Sequence, residues 1–143
     1  MKPLLCVGGR SYRKQKLWGY CFEHFNKEEL WLLDSLPVFD PFWLARQDTA
    51  RTRQLLKSIR ISRPFTFYQL RDKLYSLTRL PLTHKSTVIV SGMDAFDEEL
   101  QDERELRAIQ LAMGRLLVNL PCKCILGIRK PNELFGGVVW AEQ

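Results

Sequence analysis

Nowhere does the chain carry the roughly 20 consecutive apolar residues that a membrane-spanning helix needs. A helical membrane protein is excluded on that ground. The N-terminus also lacks the charged-then-apolar layout and small-residue cleavage site of a secretory signal. Histidine is nearly absent, with two residues, and the four cysteines contain no C-x-x-C pair. Cys6 and Cys21 lie toward one end and Cys122 and Cys124 toward the other, so buried free thiols are expected and no metal site is. No internal repeat, low-complexity tract or linker divides the sequence, which predicts one domain over residues 1–143. An intracellular protein, free of the membrane, follows as the expectation.

What is present suits a folded globule: 45% hydrophobic residues and 11% aromatics over 143 residues can bury a sizeable core. The net charge of +6 is unevenly spread. Residues 2–16 hold Lys2, Arg10, Arg13, Lys14 and Lys16 without an acid, and residues 46–63 hold Arg46, Arg51, Arg53, Lys57, Arg60 and Arg63 against Asp48 alone. Between 94 and 105 the sign reverses, with Asp94, Asp97, Glu98, Glu99, Asp102, Glu103 and Glu105 against Arg104. A basic face suits a polyanion such as DNA, although solvated helix faces also carry such runs.

The chain opens on Leu4-Leu5-Cys6-Val7, then Gly8-Gly9-Arg10-Ser11-Tyr12-Arg13-Lys14-Gln15. An apolar strand breaking at glycine before an amphipathic segment is the layout that cradles phosphate at a helix N-terminus. Set against G-x-x-x-x-G-K-[ST], Gly8 takes the first glycine and Lys14 the lysine. Arg13 replaces the second glycine and Gln15 the hydroxyl residue that would hold Mg²⁺. Gly8, Gly9, Arg13, Lys14 and Gln15 thus form a degenerate nucleotide-binding candidate, and an ordinary basic turn between strand and helix accommodates the same residues.

Further along, helical spacing runs from about Lys14 to Asn26, and Leu30-Trp31-Leu32-Leu33-Asp34 reads as a strand at 31–34. Asp40 and Pro41 introduce a helix over Phe42 to Leu56, and residues 58–62 alternate as a third strand. Thr66 with Gln69 forms a capping box, with Phe65 and Leu70 as its staple, opening a helix whose apolar face runs to Pro81. Strands at 87–90 and 122–128 flank a long stripe from Leu106 to Leu120, and Val138-Val139-Trp140 is a candidate sixth strand. Alternating strands and helices predict an α/β fold, a mostly parallel sheet with helices on both faces.

Taken together, these segments resemble the ATPase core of the RecA and RadA recombinase superfamily. Ser58-Ile-Arg-Ile-Ser-Arg-Pro-Phe-Thr-Phe-Tyr-Gln-Leu70 is similar to the family's third strand and the helix after it. Leu33-Asp34-Ser35, Asp40 to Arg46 and Leu111 to Leu120 stand where related wording is expected. The resemblance implies a three-layer RecA-like P-loop NTPase core. It also implies a glutamate after the second strand that activates water, and an aspartate ending the fourth strand that orders magnesium. Here Asp34 is followed by Ser35 and Leu36, and Ser91 ends the fourth strand with Asp94 three residues beyond.

Losing the metal hydroxyl, the metal carboxylate and the water-activating carboxylate together removes what in-line hydrolysis uses. The sequence therefore predicts no catalytic residue and no certain cofactor, with weak ATP and Mg²⁺ binding through Lys14 as the remaining option. The leading expectation is a non-catalytic accessory protein of DNA repair or homologous recombination that binds DNA, a recombinase-like partner, or both. Arg10, Lys16, Arg46, Arg51, Arg53 and Lys57 are the DNA-binding candidates. The alternatives are a weak ATP-binding or ATPase protein of the same fold, and a structural subunit without DNA binding. The chain starts at the core's first strand, from which no self-assembled filament is expected.

Overall fold

The computed structural model describes residues 2–143. Six strands form one sheet: β1 (Leu4–Val7), β2 (Glu29–Leu33), β3 (Arg60–Ser62), β4 (Ser86–Val90), β5 (Lys123–Ile128) and β6 (Gly137–Ala141). Their order is β3-β2-β4-β5-β1-β6, and every neighbouring pair is parallel. Parallel strands need long crossovers, and the helices α1 (Arg10–His24), α2 (Pro41–Gln47), α3 (Thr49–Ser58), α4 (Phe67–Ser76) and α5 (Glu103–Asn119) supply most of them.

Helices cover both faces of the sheet, which is why the central strands read as continuous apolar runs. Leu5, Val7, Val88, Val90, Leu126 and Ile128 point into a core with Phe67, Leu70 and Leu74 of α4 and Met113 and Leu117 of α5. Cys6, Ile89 and Ile125, the alternate residues on the same strands, point the other way. They meet Leu17, Trp18 and Cys21 of α1, Leu44 of α2 and Leu55 of α3. All four cysteines are free and buried.

Several boundaries differ from expectation, each for a local reason. α1 begins at Arg10 and not at Lys14, because Gly8-Gly9 is the whole loop after β1. The expected helix from Phe42 to Leu56 is two helices. Asp48, extended at φ −165° and ψ 107°, ends α2 and caps α3 by accepting the Arg51 amide at 2.9 Å. Ser58 closes α3, so β3 covers 60–62 and not 58–62. β2 runs from Glu29 to Leu33, leaving Asp34 beyond its end. Thr66 caps α4 through the Gln69 amide, whereas the Gln69 side chain accepts the Phe65 amide and not that of Thr66. The expected staple does not close, since Phe65 is 74% exposed while Leu70 is buried.

Candidate functional site

In an open parallel sheet, ligands gather beyond the C-terminal ends of the strands, where loops diverge and helix N-termini point inward. Here that end is laced by hydroxyls. Ser91, fully buried just after β4, donates to the Leu36 carbonyl at 2.8 Å and accepts the Leu36 amide at 3.0 Å. Ser35, after β2, donates to the Gly92 carbonyl at 2.6 Å and accepts the Gly92 amide at 3.0 Å. Each hydroxyl has both a donor and an acceptor partner, so the exits of two adjacent strands are joined.

Asp34 is buried and organises the loop before α2. Its carboxylate accepts the Val38 and Phe39 amides at 3.1 and 3.2 Å, and Arg63 Nε pairs with it at 3.3 Å. This is a structural use of the aspartate in a setting where the resemblance expects Asp-x-Glu, and the glutamate position itself holds Leu36.

Arg13 is the largest departure from a phosphate loop. The side chain is 6% exposed and runs across the end of the sheet, donating to the Ser91 carbonyl at 3.2 Å and pairing with Asp94 at 3.8 Å. Gly127 of β5 makes room for it, because a Cβ there would collide with the Ser91 carbonyl and lie 3.0 Å from Arg13 Cδ. Burial pushes the guanidinium below its ordinary pKa, with Asp94 opposing. Its Nε is buried without a partner. Asp94, three residues past Ser91, reaches this site after all through the turn that follows β4, and it also accepts the Arg129 amide at 2.9 Å.

Beside it opens a cavity of about 330 Å³ walled by Asp94, Asp97, Glu98, Arg129 and Lys130. Burial, then the neighbouring Asp94, push the Asp97 carboxyl up to about 6, with the Gln110 hydrogen bond opposing. One oxygen of Asp97 accepts Gln110 Nε2 at 3.1 Å and the other is buried without a partner.

The other sequence candidates scatter. Lys14, in the second turn of α1, turns to Asp40 Oδ2 at 3.4 Å and lies over the Trp43 ring at 5.1 Å. Gln15 is exposed on the outer side of α1. Arg10 donates to the Pro37 carbonyl, and Lys16 sits over the Tyr12 ring at 5.7 Å. Gly8 donates its amide to the Ile128 carbonyl at 3.0 Å, and Gly9 donates to Glu142 Oε1 at 2.8 Å. Arg46, Arg51, Arg53 and Lys57 are exposed on α2 and α3, and the Arg51 guanidinium also stacks over Phe25 and Phe22 at 5.5 and 6.0 Å. Sequence reading missed Glu142 and Asp97. No motif marks either, since Glu142 meets Gly9 across 133 positions and Asp97 acquires its environment only on burial.

No family model and no curated protein sequence matches the chain. Solved structures do. The crystal structure of the RadB recombinase matches with a TM-score of 0.71 over 89% of this chain, at 14% identity. The chain has a RecA-like fold. The six-stranded parallel sheet with helices on both faces is the α/β core of that fold, and a KaiC-like protein, PH0186 from Pyrococcus horikoshii OT3, matches it with a TM-score of 0.56 over 94% of the chain at 16% identity. The chain spans 60% and 63% of the lengths of these two structures.

A RecA-like fold implies ATP and Mg²⁺, and the residues present do not fit them. Only two residues separate β1 from α1, too few to wrap a phosphate chain. Glu142 occupies the Gly9 amide, and three acids wall the adjoining cavity where phosphate would bring further negative charge. Where the resemblance expects the magnesium-ordering aspartate stand the Ser91 hydroxyl, bound to backbone, and the Arg13 guanidinium.

Proposed function

We propose that this RecA-like chain is a non-catalytic accessory protein of DNA repair or homologous recombination that acts by binding DNA, a recombinase-like partner, or both. The observation carrying the reading is the end of β4, where Ser91 is tied to Leu36 and the Arg13 guanidinium lies between Ser91 and Asp94. In-line hydrolysis uses a metal, a phosphate anchor and an oriented water, and Arg13, Ser91 and Lys14 are all engaged otherwise. RadB, the recombinase named above, supports the process, as does the basic helix layer.

For DNA, the favoured contacts are Arg46, Arg51, Arg53 and Lys57, all exposed on α2 and α3, with the Arg51 guanidinium also lying over Phe25. For a protein partner, β3 is a sheet edge, and a cavity of about 200 Å³ lined by Trp31, Ile61, Leu77 and Leu80 adjoins it. An added strand would satisfy the edge and place one apolar side chain in the cavity.

The test pairs phosphate release with oligonucleotide binding. No magnesium-dependent release from ATP is expected, and release that vanishes in Lys14→Ala would overturn the non-catalytic reading. Binding to a labelled oligonucleotide should fall steeply with salt. Neutralising Arg46, Arg53 and Lys57 together should reduce the salt slope by about 2 to 3. Absence of binding at low salt would remove the DNA arm and leave the partner arm.

A further inference from the structure

Glu142 follows β6 directly, and its amide donates to the Val7 carbonyl at 2.8 Å, which continues the pairing with β1. That bond fixes the residue above the first loop. Its carboxylate then accepts the Gly9 amide at 2.8 Å. Gly9 is the N-cap of a 15-residue helix and has no side chain with which to cap it. No acid lies in the first turn of α1, so Glu142 supplies the negative group that the helix end favours. Gly8 is shaped around this arrangement: a Cβ there would stand 2.8 Å from Glu142 Cβ and 2.7 Å from Tyr12 Cδ1. Arg13, from the same end of α1, carries the opposite charge to Ser91 and Asp94.

The geometry points to Glu142 and Arg13 as internal stand-ins for a ligand, a carboxylate in the place of an anion and a guanidinium in the place of a cation. They hold this end of the sheet in one arrangement without nucleotide. The inference rests on the non-catalytic reading and deepens it, because surfaces on this core would then be presented to a partner constantly and not in response to ATP. Glu142 is the removable half. It is one side chain on a solvent-facing bond, and taking it away uncovers the Gly9 amide while leaving the hydrophobic core untouched.

The probe is inorganic pyrophosphate, compared with sodium chloride at equal ionic strength, on the full chain and on Glu142→Ala. The unaltered protein should show the same Tm in both salts. Glu142→Ala should melt about 2 to 4 °C lower in chloride, and pyrophosphate at millimolar concentration should recover at least half of that loss. Exchange of the Gly9 amide gives a readout that a general loss of stability would not move selectively: faster in the variant, slowed again by pyrophosphate. Glu142→Gln, which keeps an acceptor without the charge, should fall between the two. A variant whose Tm and Gly9 exchange ignore pyrophosphate would overturn the stand-in role, as would an unaltered protein stabilised by pyrophosphate as much as the variant. Either result leaves the accessory reading standing, since that falls only with magnesium-dependent phosphate release.

Discussion

The two ends of the sheet each bury a polar network, and they are built to different standards. At the N-terminal ends of the strands, Glu28 accepts hydrogen bonds from Tyr20 Oη at 2.6 Å and from the Thr87 hydroxyl, and its other oxygen meets His24 Nδ1 at 2.9 Å. Lys123 donates to Tyr20 Oη at 2.9 Å, and the Tyr20 and His24 rings stack at 4.1 Å. Every polar atom in that group has a partner. At the C-terminal ends lie Arg13 Nε and Asp97 Oδ1, the two buried side-chain atoms without a hydrogen bond among the described residues. Buried polar groups are nearly always satisfied, and incomplete ones collect where a structure answers to something besides stability. The difference teaches that the N-terminal end fastens α1, β2, β4 and β5 together, whereas the C-terminal end buries a guanidinium and a carboxylate whose own contacts leave them incompletely satisfied.

The largest effect should come from breaking the complete network. Burial opposes the Glu28 charge, but the Thr87 and Tyr20 hydroxyls, Lys123 and His24 outweigh it and hold the carboxyl below its ordinary 4.5. Its folded pKa is depressed, so its stabilisation is present above pH 4.5 and lost as pH falls through the folded value. Glu28→Gln should lower stability at neutral pH by about 2 kcal/mol in denaturant unfolding, and the deficit should shrink on acidification.

A change at the other end should have the opposite sign. Asp97, raised from 3.8 to about 6, favours the folded state only when protonated; its penalty grows as pH rises from 3.8 and is complete above 6. Asp97→Asn keeps an acceptor for Gln110 and should stabilise at pH 8 by about 1 kcal/mol, solvent screening included, with no gain at pH 3. Equal stability of the two proteins at pH 8 would remove the contrast between the ends.

The smallest effect belongs to Arg13. A buried guanidinium with an unsatisfied nitrogen contributes little net stability, because desolvation offsets its pairing with Asp94, and Asp94 keeps the Arg129 amide. Arg13→Met should shift the unfolding free energy by less than about 1 kcal/mol, and a loss as large as that of Glu28→Gln would show both ends to be equally structural.

Much of the fold was legible before any coordinates, because its signals are local. The run Thr87 to Val90 and the stripe from Leu106 to Leu120 carry their burial in their spacing, and Thr66 carries its cap three residues from its partner. Asp48 shows the limit: residues 42–56 have the length and composition of one helix, and only the extended backbone of Asp48 reveals two helices where one was expected. The candidate site was less legible. Arg13 and Ser91 were read as standing where the resemblance expects a glycine and an aspartate, and what they contact in the fold was not readable.

By itself, then, the sequence determined alternating strands and helices and burial of both sheet faces, since both depend on residue type and near-neighbour spacing. Only the tertiary structure decided what fills the end of the sheet. Parallel pairing of β6 with β1 brings Glu142 onto Gly9, and the meeting of β1, β4 and β5 brings Arg13 between Ser91 and Asp94. Such contacts span tens of residues or more, and a charge acquires its partner and its desolvation only when the strands that carry it are packed side by side.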